Sequence, residues 1–245
     1  MIGFLVAAAV VAPPADAGFD YQIGGDYPLP SGVTVVSRDW REGSAPDGAY
    51  AVCYVNAFQT QPGERRRWPR DLVLTELGDD PGWPGEFAID ISTDRKRVRA
   101  ARPVERMVRR CAEKGFEAVE FDNLDSWTRF GGAPFGRRDA VAFARRLVRL
   151  AHARGLAAAQ KNTPQLSRRE ARRRIGFDFA VAEECGRYRE CGRYRALYGD
   201  RVLAIEYRRR DFRRTCARIG DAVSVVLRDR DVGTPGSRGY RFAAC

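Results

Sequence analysis

Glu117-Ala-Val-Glu-Phe-Asp-Asn-Leu-Asp125 decides how the rest of the chain is read. An apolar, strand-like run closes on acids and an amide. Strand alternation puts Ala118, Glu120 and Asp122 on one face and Val119 and Phe121 on the other. A buried carboxylate needs a partner or a raised pKa, so acids gathered at a strand end point to chemistry or a bound ion rather than to packing. The pattern recurs on both sides of this stretch. Runs 33–39, 50–56, 86–90, 157–162, 179–183, 202–206 and 223–228 are short, apolar and polar at the end. Helical periodicity fills most of the intervals, which predicts repeated βα units. Eight strands with crossover helices in a chain of this length fit a single-domain (β/α)8 barrel of the TIM type better than an open sheet. Active sites of that fold lie at the carboxyl ends of the strands. Asn56, Asp90, Asp122, Lys161, Asn162, Glu183, Glu184, Glu206 and Arg228 are therefore expected to meet at one rim.

The helices are legible as well. Ala140, Phe143, Ala144, Leu147, Val148 and Ala151 make one apolar face over 139–154, with Arg145, Arg146 and Arg149 largely outside it. Ser167 and Glu170 fit a capping box at the start of a helix ending near Gly176. A further helix is predicted over 98–114, and shorter ones over 188–198 and 211–219. Residues 58–85, rich in Pro, Gly and Trp, form a connection long enough to expect a function of it.

The net charge is +11, yet all but three of the 43 basic residues are arginine. That skew fits the coding bias of a GC-rich bacterial genome, and the arginines are scattered, so no specific nucleic-acid partner is expected. Residues 1–17 resemble a secretory signal peptide, an apolar run before Ala15-Asp-Ala17. The run is too short to span a bilayer, so the mature protein is expected from residue 18 to 245, extracellular, monomeric and away from the membrane. Six cysteines after such a leader suggest disulfides. Cys185 and Cys191 are close enough to pair locally, and Cys216 with Cys245 would pin the C-terminus. Cys53 and Cys111 remain, although spacing alone leaves other connectivities open.

One histidine, His152, inside a helix, leaves no imidazole for a Ser-His or Cys-His mechanism or for a His-ligated zinc. No nucleotide-binding glycine loop is present, and neither a metal nor a cofactor is expected. Carboxylates remain. Glycoside hydrolysis needs two of them, one protonated and one ionised, and crowding separates their pKa values. Asp122 and Glu183 or Glu184 would face each other across the rim. Lys161, Asn162 and Arg228 could orient acids or sugar hydroxyls, Glu206 could support either acid, and Trp40, Trp68, Trp83, Trp127, Tyr54 and Tyr207 could stack on sugar rings. The competing reading is a barrel that binds carbohydrate without turnover, or that holds calcium on Glu120, Asp122 and Asp125.

Glu120-Phe-Asp-Asn-Leu-Asp125, Gln160-Lys-Asn162, Phe177-Asp-Phe-Ala-Val-Ala-Glu-Glu-Cys185 and Ile205-Glu-Tyr207, with Cys53-Tyr-Val-Asn56 and Gly82-Trp-Pro-Gly-Glu86 earlier, resemble glycoside hydrolase family 114. The resemblance implies a secreted endo-α-1,4-polygalactosaminidase with a (β/α)8 barrel and a polysaccharide substrate. It makes Asp122 the nucleophile and Glu183 the general acid/base, with Asn123 inside the motif at the substrate. Alternation argues otherwise for the second acid. If Phe179 and Val181 face the helices, Glu184 turns inward and Glu183 outward, so Glu184 stays as the alternative. Phe121 stands where many relatives carry Pro. A retaining mechanism is expected.

Overall fold

The computed structural model describes residues 10–245. Eight parallel strands follow one another around a barrel in chain order: β1 (Phe19–Gln22), β2 (Val35–Asp39), β3 (Tyr50–Asn56), β4 (Ala118–Asp122), β5 (Ala157–Lys161), β6 (Phe179–Glu183), β7 (Val202–Glu206) and β8 (Ser224–Arg228). A short β9 (Phe242–Ala244) runs antiparallel to β8, and β1 lies against both, so the sheet comes round on itself. Helices α1 (Asp94–Glu113), α2 (Arg137–His152), α3 (Cys191–Tyr198) and α4 (Arg209–Ile219) cover the outside. A π-helical stretch, Arg169–Ile175, makes the crossover from β5 to β6.

Alternation sorts each strand into two cores. Tyr21, Val35, Val52, Ala118, Ala159, Val181, Ile205 and Val226 fill the barrel interior. Val119, Phe121, Ala180 and Ala204 point outward and pack on the apolar face of α2 and its neighbours. Small side chains inside β5 leave room at the centre for a long one, and Lys161 takes it.

Two strand assignments change. Residues 86–90 are not a strand of the barrel. They fold back on the long connection, through isolated antiparallel bridges of Ala88 with Gln59 and Ile89 with Val73. Gly85 at φ 88° turns the chain there, and only single turns of 3-10 helix, at Arg65–Arg67, Arg70–Leu72 and Thr75–Leu77, separate this run from β3. Asp90 consequently anchors the start of α1, accepting from Lys96 Nζ at 2.6 Å and Ser92 Oγ at 2.6 Å. The strand that the sequence reading overlooked is β1. It is four residues long, and its outward positions are polar, so it lacks an apolar run. Asp20 and Gln22 are satisfied by each other, by Tyr27 and by Arg38.

Arg228 closes the barrel. It is fully buried, pairs with Asp20 at 3.0 Å, donates to the Tyr21 carbonyl, and donates to the carbonyls of Gly233 at 2.7 Å and Arg241 at 3.0 Å. Three disulfides, Cys53–Cys111, Cys185–Cys191 and Cys216–Cys245, join the pairs that spacing favoured. The Ser167–Glu170 capping box is present. Of the expected leader, residues 1–9 lie outside the described residues. Residues 10–17 cross the amino-terminal end of the barrel, where Tyr50 Oη donates to the Val11 carbonyl and Ala17 N to Ser224 Oγ. Among the described residues no helix is long and apolar enough to cross a membrane.

Candidate active site

Three adjacent strands end alike. Asp122, Lys161 and Glu183 are the last residues of β4, β5 and β6, and each is followed by a residue in the left-handed region: Asn123 (φ 63°), Asn162 (φ 45°) and Glu184 (φ 54°). Such a conformation costs a non-glycine residue of order 1 kcal/mol, and asparagine tolerates it best. The kinks send the chain outward just after one last inward side chain. Gln160, facing out of β5, holds the second kink by donating to the carbonyls of Asn162 and Thr163 at 2.9 and 3.0 Å.

Lys161 Nζ stands at the centre, 1% exposed. It lies 3.3 Å from Asp122 Oδ1, 3.5 Å from Glu183 Oε2 and 3.9 Å from Glu120 Oε2, and donates to Tyr21 Oη at 2.9 Å. Sharing one ammonium, those oxygens of Asp122 and Glu183 cannot be further apart than the two distances laid end to end, about 6.8 Å. Asp122 also accepts from Tyr54 Oη at 2.7 Å and from the Asn123 amide at 2.7 Å. Glu183 accepts from Tyr207 Oη and from Asn162 Nδ2 at 2.8 Å.

These contacts set protonation. Burial pushes the Asp122 carboxyl up, but Lys161 and the Tyr54 hydroxyl more than offset it, and its pKa falls below the usual aspartate value. Lys161 is pulled down by burial and, more strongly, up by Asp122, Glu183 and Glu120, so it stays an ammonium. Glu120, directly beneath, is raised to about 7 by burial, against the pull of Lys161. Both its oxygens are buried without a hydrogen-bond partner.

A cleft of about 240 Å³ opens above this centre. Asp122, Glu183, Tyr54 and Tyr207 form its base, with Trp83 and Arg230 on the rim, the guanidinium 5.7 Å from the Trp83 ring centre. Five carboxylates (Asp39, Glu86, Asp122, Glu183, Asp231) line it against three guanidinium groups (Arg41, Arg129, Arg230). Acids thus outnumber arginines in the lining, in a chain of net charge +11. Glu86 accepts from Asn56 Nδ2 at 2.9 Å and Asn123 Nδ2 at 3.2 Å, and burial, with Asp122 nearby, raises it to about 7.

Of the residues expected at the rim, Asp122, Asn123, Lys161, Asn162, Glu183, Tyr207 and Trp83 converge at the centre or the cleft. Asn56 supports it through Glu86, and Asp125 through Arg129, 3.5 Å away. Four do not join them. Asp90 caps α1, and Arg228 closes the barrel. Glu206 faces outward, because Leu203 and Ile205 are the inward residues of β7, and it accepts from the Gly186 amide at 2.6 Å. Glu184 leans on Arg187 at 2.6 Å, outside the cleft. The alternation argument for Glu184 began from the wrong face: Phe179 and Val181 point into the barrel, and so does Glu183. Glu120 is sealed below the cleft, out of reach of substrate. Glu120 and Asp122 are bridged by the Lys161 ammonium, and Asp125 is engaged by Arg129, so the three do not form a shared calcium cage. Among the described residues the one group of converging metal-type ligands is Cys185, Cys191 and Glu206, whose cysteines are bonded to each other.

Tyr54, one of the rings expected to meet sugar, lies at the base of the cleft on the inward face of β3, whereas Asp39, Arg41, Glu86, Arg129 and Arg230 are site residues that sequence reasoning did not select. Asp39 was within reach, being the polar residue that closes β2. The others come from loops, where no periodicity tells direction.

The model of glycoside-hydrolase family GH114 matches residues 5–245. Among solved structures, that of Aspergillus fumigatus Ega3 in complex with galactosamine has a TM-score of 0.80 at 17% identity, covering 97% of this chain and 98% of that one. The glycoside hydrolase domain of PelA from Pseudomonas aeruginosa has a TM-score of 0.61 at 14% identity, covering 90% and 96%. At these identities the two likenesses establish the barrel fold. No curated protein matches the chain.

Proposed function

Since the chain belongs to glycoside-hydrolase family GH114, we propose that it is a secreted enzyme cleaving α-1,4-linked, galactosamine-containing polysaccharide with retention of configuration. The observation that carries the reading is the single ammonium of Lys161 shared by Asp122 and Glu183. The carboxyl groups of the cleft lining offer partners to a sugar that carries amines, three disulfides support an oxidising compartment, and the galactosamine bound by Ega3 is consistent with the substrate.

In the first step Asp122, held ionised, attacks the anomeric carbon. The bond to the leaving oxygen breaks, and that oxygen takes the proton of Glu183. In the second step Glu183 removes a proton from water, the hydroxide attacks the same carbon, and Asp122 leaves as a carboxylate. The negative charge therefore passes from Asp122 to Glu183 and back. Lys161 can neutralise it at either place without moving. The limit of about 6.8 Å between the two nearest oxygens excludes most of the roughly 6.5–9.5 Å range of inverting enzymes and allows the roughly 5–5.5 Å of retaining ones.

The test is incubation with polymers of galactosamine and of N-acetylgalactosamine, with products read by mass and the first-formed anomer by NMR. Asp122→Asn and Glu183→Gln should reduce turnover to background with unchanged unfolding midpoints, and Glu184→Gln should keep it. Full turnover by Asp122→Asn, or equal losses at 183 and 184, would reject the assignment.

A further inference from the structure

The run Arg65-Arg-Arg67 and the nearby Arg70 play no part in the cleft, yet the fold sets them against α1. Two neighbouring hollows lie on that flank. One, of about 430 Å³, is lined by Arg65, Arg66 and Arg70. The other, of about 520 Å³, is lined by Arg66 again and by Arg67, Arg106, Arg109 and Arg110. The shared Arg66 makes them one furrow. Along α1 the spacing Arg95, Arg99, Arg102, Arg106, Arg109 keeps a stripe on one face, about 20 Å long at 1.5 Å per residue and overlapping the second hollow at Arg106 and Arg109.

The furrow is held in shape. Buried Trp40 lies between two of its guanidinium groups, Arg67 at 5.1 Å and Arg110 at 5.7 Å from the ring centre. Arg65 sits 5.5 Å from the Phe87 ring. Few acids answer this charge: Glu64 pairs with Arg67, Glu113 stands 3.6 Å from Arg109, and Asp71 engages Arg99. Among the described residues, Arg65, Arg66, Arg70, Arg106 and Arg110 have no acidic partner.

We propose that this flank binds an anionic polysaccharide, a linear chain of carboxylate- or sulfate-bearing sugars lying along the arginine furrow while the cleft remains open. A row of charges is what the surface offers. A lipid surface would be met by apolar side chains, and the exposed large ones of the described residues are Val11, Trp83, Val98 and Tyr188, of which only Val98 is on α1. Single-stranded nucleic acid would be met by open rings for base stacking, and Trp40 is 4% exposed. The furrow and the cleft share no lining residue, so this binding is independent of which polymer the cleft hydrolyses.

The test compares two fourfold variants on heparin over a salt series. One carries Arg66→Gln, Arg70→Gln, Arg106→Gln and Arg109→Gln. The other removes the same charge from the arginine-lined hollow beside α2, with Arg145→Gln, Arg146→Gln, Arg149→Gln and Arg174→Gln. Unfolding midpoints confirm that both fold. The furrow variant should bind heparin about a hundredfold more weakly at physiological salt, with its log-log salt slope lower by about three, as expected when four charge contacts are lost from a linear polyanion. The control should lose much less. Equal losses would reduce the effect to net charge and overturn the proposal. So would tighter binding, sensitive to the same four substitutions, of single-stranded DNA or of phosphatidylserine vesicles.

Discussion

Replacing Glu120 by glutamine should make the protein more stable at neutral pH, although Glu120 lies against the most important cation of the site. The side chain is fully buried, and its two oxygens have no hydrogen-bond partner. Lys161 at 3.9 Å does not make up for the water that it lost. Its pKa accordingly rises from 4.5 to about 7. At about 1.4 kcal/mol per unit, the shift is worth about 3 kcal/mol. The sign follows from which state holds the proton more tightly. A carboxyl raised in the folded protein contributes fully below its unfolded value, and that contribution is lost as pH climbs through about 7. Wild type should therefore lose about 3 kcal/mol through this group between about pH 4 and pH 8. Glutamine has the same shape and no charge to gain. Glu86 and Glu206 are raised in the same direction, but they are common to both proteins and cancel in the difference. Urea unfolding across that pH range, with disulfides intact, measures it. The gap between variant and wild type should move in the variant's favour by about 3 kcal/mol and level off above neutrality. A gap that stays flat, or moves the other way, would mean that Glu120 is a carboxylate in the native protein, and the picture of a neutral acid under the ammonium would be wrong.

Tyr54→Phe removes the 2.7 Å donor that helps hold Asp122 ionised. The acidic limb of the kcat profile should move to higher pH, with turnover down about tenfold; an unmoved limb would exclude the hydroxyl from that role. Arg228→Met leaves Asp20 buried and unpaired, since both are fully covered, and should cost about 3–5 kcal/mol in urea unfolding; a loss below about 1 kcal/mol would reject its role in barrel closure. Cys53→Ser with Cys111→Ser opens a loop of 58 residues and should cost about 4 kcal/mol. KM should not change, because that bridge joins β3 to α1 on the outside of the barrel; a raised KM would show that it shapes the cleft.

The parts of the molecule legible in the sequence are those governed by a period. Ala118-Val-Glu-Phe-Asp122 announced its inward face, and the α2 stripe from Ala140 to Ala151 announced its packing face. What escaped had too short a period, none, or one that fitted either face. The strand β1 does alternate ring and polar side chain, but over four residues only, and its polar half is satisfied within the strand and by Arg38, Tyr27 and Arg228 from elsewhere in the chain. Residues 86–90 carry a strand-like run, yet Gly85 and the long connection bend them away from the sheet. For Glu183 and Glu184, the residues themselves left the facing open, because Phe179, Ala180, Val181 and Ala182 are apolar on both sides. Only the neighbouring strands decide which side is inner. Arg129, Arg230 and Asp231 reach the cleft from loops, and contacts across the barrel set their direction.

The left-handed residues after β4, β5 and β6 restrict how this rim can change over generations. Glycine, asparagine and aspartate enter that region of backbone space readily, whereas β-branched and bulky residues enter it only under strain. Positions 123 and 162 should therefore drift within a narrow alphabet even where their side chains are dispensable. Position 184 should be freest in charge, its carboxylate being turned away from the sugar. Substitution there by valine would displace the neighbouring acid through the main chain alone. The reacting groups of this barrel are thus inherited partly as bends, and a change such as Asn162→Val, which leaves every charged side chain untouched, can still disarm it.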